Sequence, residues 1–190
     1  MPTRPNSMGF DLSDPLVLTK LQAVRTTMQD WDFGDLGDIY PVINPATGAR
    51  IGRVRYLSPE QVAHKVEAVT HWHASPITRA QVLRRAADIY ESEAGELFAL
   101  LTHEAGKTLP DCIGELREAV DFLRYYAAEA ERQKFSGDGI FTCISPWNFP
   151  LAIFTGQIAA ALAAGNGVLA KPAENTSMIA HVAVELLHRA

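Results

Sequence analysis

The sequence predicts an α/β protein in which several helices and a small hairpin lead into an incomplete parallel, Rossmann-like sheet. Three observations near the carboxyl end carry the parallel part. Ile140-Phe141-Thr142-Cys143-Ile144 is a β-branched and aromatic run bounded by Gly139 and Pro146, which reads as a buried strand. Leu151 to Ala164 is almost wholly apolar and is followed by Gly165-Asn166, residues suited to a left-handed helix cap. Gly167-Val168-Leu169-Ala170 reads as a second short buried strand, ending at Lys171-Pro172. Strand, helix and strand in this order pair in parallel, because a helix-length crossover returns the chain to the start of the sheet.

The remaining elements follow in chain order. Asp14 caps a first helix with Pro15 in its first turn and Leu16, Leu18, Leu21 and Val24 as apolar positions. Asp32 to Asp38 reads as an acidic loop. Ile39 to Ile43 and Arg50 to Tyr56, separated by Pro45-Ala46-Thr47-Gly48, predict a hairpin. Ser58-Pro59-Glu60 opens a helix to about Trp72. Another begins near Pro76, with Leu83, Ala86, Tyr90, Ala94, Leu97 and Leu101 on one face. From about Leu109 to Glu131 a long helix carries the stripe Leu109, Ile113, Leu116, Val120, Leu123 and Ala127. Pro150 suits the first turn of the Leu151 to Ala164 helix, which the sequence makes fully buried. Asn175, Thr176 or Ser177 caps a last helix with Ile179, Val182, Leu186 and Leu187 at helical spacing. The chain thus divides into a helix and loop (1–38), a hairpin (39–56), helices (58–135) and a β-α-β-α unit (139–190).

Composition sets the class. With 190 residues, 47% of them apolar and 21% charged, the chain has ordinary globular content. A formal net charge of -5 argues against nucleic acid or an anionic membrane surface as the main partner. Leu151 to Ala164 is interrupted by Thr155, Gly156 and Gln157 and is shorter than the ~20 residues a membrane span needs. Two cysteines without metal-ligand spacing suggest a reducing, cytoplasmic setting. Met1 to Phe10 has no apolar core of a secretory signal. No metal site is expected: His71 and His73 lack further spaced ligands. Gly106-Lys107-Thr108 resembles the end of a phosphate loop, but Leu101 stands where that motif needs glycine.

In open α/β sheets ligands collect outside the carboxyl ends of the strands. Two polar clusters fall there: Ser145-Pro146-Trp147-Asn148-Phe149-Pro150, and Lys171-Pro172-Ala173-Glu174. Lysine and glutamate three residues apart offer a donor and an acceptor to the vicinal diol of a ribose. Asn148 offers an uncharged amide donor to an oxygen that becomes negative in a transition state. The plainer readings are that Asn148 caps the next helix and that Lys171 and Glu174 form an exposed pair worth ~0 to 1 kcal/mol. Jointly, at one sheet edge, the residues favour a site. Glu118 lies opposite the apolar stripe of its helix, yet Phe122 and Tyr125 share that far face, which implies a second contact there. Cys112 and Cys143 read as small buried hydrophobes.

These residues resemble a known family. Asn44-Pro45-Ala46-Thr47-Gly48, Arg79, Glu104 to Asp111, Arg117 to Tyr126 and the two clusters are similar to the amino-terminal part of an aldehyde dehydrogenase. The stretches Glu104 to Tyr126 and Leu151 to Gln157 most resemble the L-glutamate γ-semialdehyde (pyrroline-5-carboxylate) dehydrogenase module of the bifunctional proline utilization A enzymes. The resemblance implies NAD-dependent oxidation of L-glutamate γ-semialdehyde to L-glutamate in proline degradation. It makes Asn148 the oxyanion donor, gives the adenosine ribose of NAD to Lys171 and Glu174, lines the cofactor groove with Ile144, Ser145, Pro146 and Trp147, and faces Glu118 and Phe149 to the substrate. It also implies a proline dehydrogenase module with FAD and possible homo-oligomers, although the short Phe135 to Gly139 connection departs from the longer excursion through which many relatives associate. The family's nucleophilic cysteine and general-base glutamate lie past the Lys-Pro-Ala-Glu cluster, so the chain to Ala190 is expected to be inactive alone. Alternatives are a non-catalytic remnant that binds nucleotide or another chain, and a different specificity such as succinic semialdehyde.

Overall fold

The computed structural model describes residues 4–190. Helix α1 (Pro15–Arg25) starts where Asp14 accepts the Leu16 N–H at 2.8 Å. Strands β1 (Trp31–Phe33), β2 (Asp38–Ile43) and β3 (Arg50–Tyr56) form one sheet in the order β1-β3-β2. The β2–β3 pair is the antiparallel hairpin expected from the sequence, turned at Gly48 with φ +72°. Strand β1 is a correction, since it lies where the acidic loop was expected and pairs in parallel with β3. Trp31 is buried opposite Gly52, where a side chain would meet the Trp31 carbonyl at 2.4 Å, and Asp32 turns outward to Arg53 and Arg55. Three residues are too few to display a strand's alternation in sequence.

Helices α2 (Pro59–Ala68), α3 (Pro76–Ser92), α4 (Ala94–His103) and α5 (Leu109–Gln133) follow. The Ser58 hydroxyl accepts the Gln61 N–H while the Gln61 side chain accepts the Ser58 N–H, a reciprocal cap. Helix α2 ends before Trp72 because Val69 is already extended. The single helix expected from Pro76 to Leu101 is two, broken at Glu93, whose φ of -95° and ψ of 16° redirect α4 onto α1 and α5. Of their predicted inward residues Leu83, Ala86, Tyr90, Leu97 and Leu101 are fully buried, while Ala94, beside the break, is only partly so. Arg79, also buried, donates to the Ala74 carbonyl at 3.0 Å and the Phe135 carbonyl at 2.5 Å, fixing the connection that leaves α5.

Strand β4 (Ile140–Ile144) and strand β5 (Gly167–Lys171) pair in parallel, with Ile140 opposite Gly167 and Ile144 opposite Lys171. Between them runs α6 (Ala152–Ala164), and after a 3-10 turn at Glu174–Thr176 comes α7 (Ser177–Arg189). Gly165, at φ +95°, caps α6 as predicted. Leu151 and much of α6, including Ala152, Phe154, Ile158 and Ala159, are buried against α5 and α3. Gly156 lets α6 approach closely, since a Cβ there would lie 2.8 Å from the Phe122 ring. That contact gives Phe122 the second packing surface implied for the far face of α5, while Tyr125 and Glu118 on the same face stay exposed. The Tyr90 hydroxyl donates to the Ala183 carbonyl at 2.9 Å and joins α3 to α7.

The expectation of a buried β4 fails. Cys143 is buried, but Ile140, Phe141 and Ile144 are 38%, 49% and 65% exposed. Among the described residues β4 has β5 as its only strand neighbour, so part of a strand patterned for a covered parallel sheet faces outward. No helix of the described residues is long and apolar enough to cross a membrane.

Candidate functional site

The ends of β4 and β5 bring the two polar clusters together. The parallel ladder continues one step past the strands, with the Ser145 N–H donating to the Lys171 carbonyl at 3.2 Å. This places Ile144 and Ser145 against Lys171, with Ile144 exposed and Ser145 buried. Pro146 stops the ladder. Trp147 is 62% exposed and Phe149 is 40% exposed. The chain then enters α6.

Lys171 and Glu174 pair across the Pro172 bend, ammonium to carboxylate at 2.5 Å, with both side chains at least half exposed. The ammonium, first as hydrogen-bond donor and then as a charge, holds the Glu174 carboxyl below its ordinary value. Tyr56 from β3 fixes the backbone of this turn by donating to the Glu174 carbonyl at 2.7 Å, and its oxygen lies 3.0 Å from the Ser177 hydroxyl. A cleft of about 490 Å³ runs between the hairpin and the sheet edge, lined among others by Val42, Tyr56, Glu104, Trp147, Glu174 and Thr176. Trp147 and Glu174, from different clusters, therefore face one space.

Asn148 does not cap α6. Neither Asn148 nor Leu151 supplies a side-chain cap; the Glu115 carboxylate, reaching from α5, accepts the Leu151 N–H at 3.2 Å and the Ala152 N–H at 2.8 Å. The exposed Asn148 carboxamide makes no hydrogen bond among the described residues. Its main-chain carbonyl accepts from the Lys107 ammonium at 2.7 Å, and the same ammonium lies 4.8 Å from the centre of the Phe149 ring. Helix α7 is treated in the same way as α6. Glu104 at the end of α4 accepts the Met178 N–H at 2.7 Å and the Ile179 N–H at 2.8 Å. Burial pushes the Glu104 carboxyl up to about 7, against the pull of those two amides.

Glu118 lies elsewhere. It lines a separate cavity of about 660 Å³ on α5, with Arg117, Asp121, Phe122, Tyr125 and Tyr126 around it. None of the residues that line the Trp147 and Glu174 cleft lines this cavity. Phe149 lines neither.

The arrangement offers an exposed cation and anion on one turn, apolar surface from Ile144 and Trp147 beside it, and an unengaged amide donor nearby. It offers no thiolate. Cys112 and Cys143 are buried and unpaired, and burial pushes the Cys112 thiol up to about 11 and raises Cys143. Among the described residues no group of three or more histidine, cysteine, aspartate and glutamate side chains could hold a metal ion, and the His71 and His73 rings simply stack 5.9 Å apart. Sequence reasoning missed Tyr56, Lys107 and Glu115, whose partners lie 118, 41 and 36 residues away and leave no local pattern.

The pattern that defines the aldehyde dehydrogenase family matches residues 32–190. The bifunctional protein PutA of Escherichia coli is 45% identical over 97% of the chain, and that of Rhizobium meliloti 41% identical over 98%. The chain spans 15% and 16% of those two proteins. The crystal structure of proline utilization A from Bradyrhizobium japonicum superposes with a TM-score of 0.78 at 36% identity, over 99% of this chain and 19% of that one. A 1-pyrroline-5-carboxylate dehydrogenase from Thermus with bound NAD shares the fold, with a TM-score of 0.88 at 23% identity, over 100% of this chain and 44% of that one. The β-α-β-α unit with its two polar clusters, the family pattern over most of the chain and these matches along nearly its whole length agree: the chain belongs to the aldehyde dehydrogenase family and has the amino-terminal part of its fold.

Proposed function

We propose that the chain is the NAD-binding amino-terminal portion of a longer enzyme that oxidises L-glutamate γ-semialdehyde to L-glutamate in proline degradation. The observation that carries this reading is the exposed Lys171–Glu174 pair at the sheet edge shared with Trp147, in a chain 45% identical to a bifunctional PutA protein. A ribose diol needs a donor and an acceptor side by side, and this pair presents both. Ile144 and Trp147 add apolar surface for the cofactor, while Ser145 and Pro146 shape the backbone beneath it. When bound, NAD supplies the hydride acceptor of the oxidation.

Asn148 has the role of donating its free carboxamide N–H to the aldehyde oxygen as negative charge develops there. The resemblance gives the substrate to Phe149, beside Asn148, and to Glu118, in its separate cavity on α5, and the remainder of the polypeptide supplies the nucleophilic cysteine that the two buried thiols here do not. In this reading the partner activity is a proline dehydrogenase module with FAD. The two unpaired buried cysteines fit a reducing, cytoplasmic setting. A second reading is succinic semialdehyde oxidation, favoured by a mitochondrial succinate-semialdehyde dehydrogenase of Arabidopsis thaliana that is 38% identical over 76% of the chain.

Calorimetric titration of the chain with NAD, beside a Lys171→Ala, Glu174→Ala double variant of verified fold, tests the cofactor assignment. Saturable binding lost in the variant is the expected result. Equal binding by both proteins would remove the ribose from this pair. Steady-state kinetics of the longer enzyme with glutamate γ-semialdehyde and succinic semialdehyde separates the two substrates, a higher kcat/KM for the first being expected.

A further inference from the structure

Gly106-Lys107-Thr108, rejected as a phosphate loop, joins α4 to α5 and closes both. Gly106 turns at φ +66°, the Lys107 N–H returns to the Leu101 carbonyl at 3.0 Å, and the Thr108 hydroxyl caps α5. The Lys107 side chain, 17% exposed, is then held between two groups: Oε1 of Glu115 at 3.0 Å and the Asn148 carbonyl at 2.7 Å. The Glu115 side chain is 1% exposed, and its second oxygen takes the first amides of α6. Lys107 gives this buried carboxylate a matched charge within 4 Å. One ammonium thereby ties the loop carrying Asn148 to the carboxylate that fixes the following helix. The Asn148 carboxamide has no hydrogen bond of its own among the described residues, so the Lys107 bond to its carbonyl is the contact that fixes where the residue stands.

We propose that Lys107, seated on Glu115, is a positioning residue for Asn148: it clamps the Asn148 carbonyl and so sets where the side-chain amide meets the substrate oxygen. This rests on the assignment of Asn148 as the donor to the aldehyde oxygen. It requires that loss of the clamp reach the chemical step while cofactor affinity, which depends on Lys171 and Glu174, is left alone.

The test uses Lys107→Met, Lys107→Arg, the double variant Lys107→Met, Glu115→Gln, and Asn148→Ala. The double variant removes both charges, keeps an amide oxygen to accept from α6, and so covers the case in which Lys107→Met alone fails to fold. The NMR order parameter of the Asn148 backbone amide is expected to fall from about 0.85 to below about 0.6 in the double variant. In the longer enzyme kcat is expected to fall on the order of 100-fold, with the NAD dissociation constant within about twofold and Lys107→Arg within a few-fold of the parent. An unchanged order parameter and kcat in the folded double variant would overturn the proposal. So would a loss of NAD affinity in step with kcat, which marks general damage to the fold. An Asn148→Ala enzyme with unchanged kcat would instead overturn the role of Asn148 itself, and because that variant leaves Lys107 in place the two failures are told apart.

Discussion

The Tyr56 hydroxyl on the hairpin donates to the main-chain carbonyl of Glu174, 118 residues later in the chain, at 2.7 Å. This bond connects the hairpin to the turn that displays the Lys171–Glu174 pair. The Tyr56 ring is itself held against Tyr40 with centroids 4.8 Å apart, so the donor is fixed before any ligand arrives.

Tyr56→Phe removes the bond and keeps the ring. It is expected to weaken NAD binding by about fivefold to tenfold, the worth of one hydrogen bond of about 1 kcal/mol. Folding stability should fall by about the same 1 kcal/mol. Calorimetry on the two proteins decides this, and equal affinities would show that the turn needs no support from the hairpin.

Gly156→Ala is expected to destabilise the protein, although alanine is the better helix former by roughly 1 kcal/mol. The added Cβ would lie 2.8 Å and 3.0 Å from Phe122 ring atoms where α5 and α6 pack. Overpacking of this kind costs about 1 to 3 kcal/mol. Phe122→Leu should relieve the clash, so a double-variant cycle by urea denaturation is expected to show positive coupling. Additive effects would mean that the ring moves away freely.

What the sequence displayed were features written within a few residues of each other. The Asp14 and Ser58 caps, the turn at Gly48, the left-handed Gly165 and the stripe of α5 are all local chemistry, and each stands where the pattern put it. The polar clusters were legible because β4 and β5 are adjacent and in register, which the helix between them dictates. Strand β1 was hidden by its brevity, and the break at Glu93 by an apolar face that continues on both sides of it. The capping of α6 and α7 was also hidden, because Glu115 and Glu104 act from 36 and 74 residues away on amides that any sequence possesses. An exposed β4 contradicts its own composition, since pattern reports the environment a strand is built for and not the neighbours it has.

Both thiols are expected to resist alkylation in the folded protein. Cys112 is fully buried with its thiol pushed up to about 11, so at pH 8 its thiolate is scarce as well as inaccessible. Reaction with a maleimide should run on the order of 100-fold slower than that of a free thiol and accelerate as urea unfolds the chain. Rapid native modification of Cys112 would revive it as a candidate nucleophile.

Glu104 gives stability a pH dependence of opposite sign to the surface carboxylates. In the unfolded chain its carboxyl titrates at the ordinary glutamate value of 4.5; in the fold burial pushes it up to about 7. Between those values the folded protein holds a proton that the unfolded chain has released, so stability falls as pH rises through the window and the loss is complete above about 7. A shift of that size corresponds to about 3 kcal/mol. Asp32, Glu129 and Glu131 are held low by arginine partners, so their contributions are lost only in more acidic solution, while Glu96, raised by burial as Glu104 is, adds to the decline with the same sign. Denaturation midpoints should therefore decline from pH 5 to pH 8 in the parent. Glu104→Gln, which keeps one acceptor for the first amides of α7 and cannot ionise, should flatten that decline at some cost in stability near pH 5. The same slope in parent and variant would place the titrating group elsewhere.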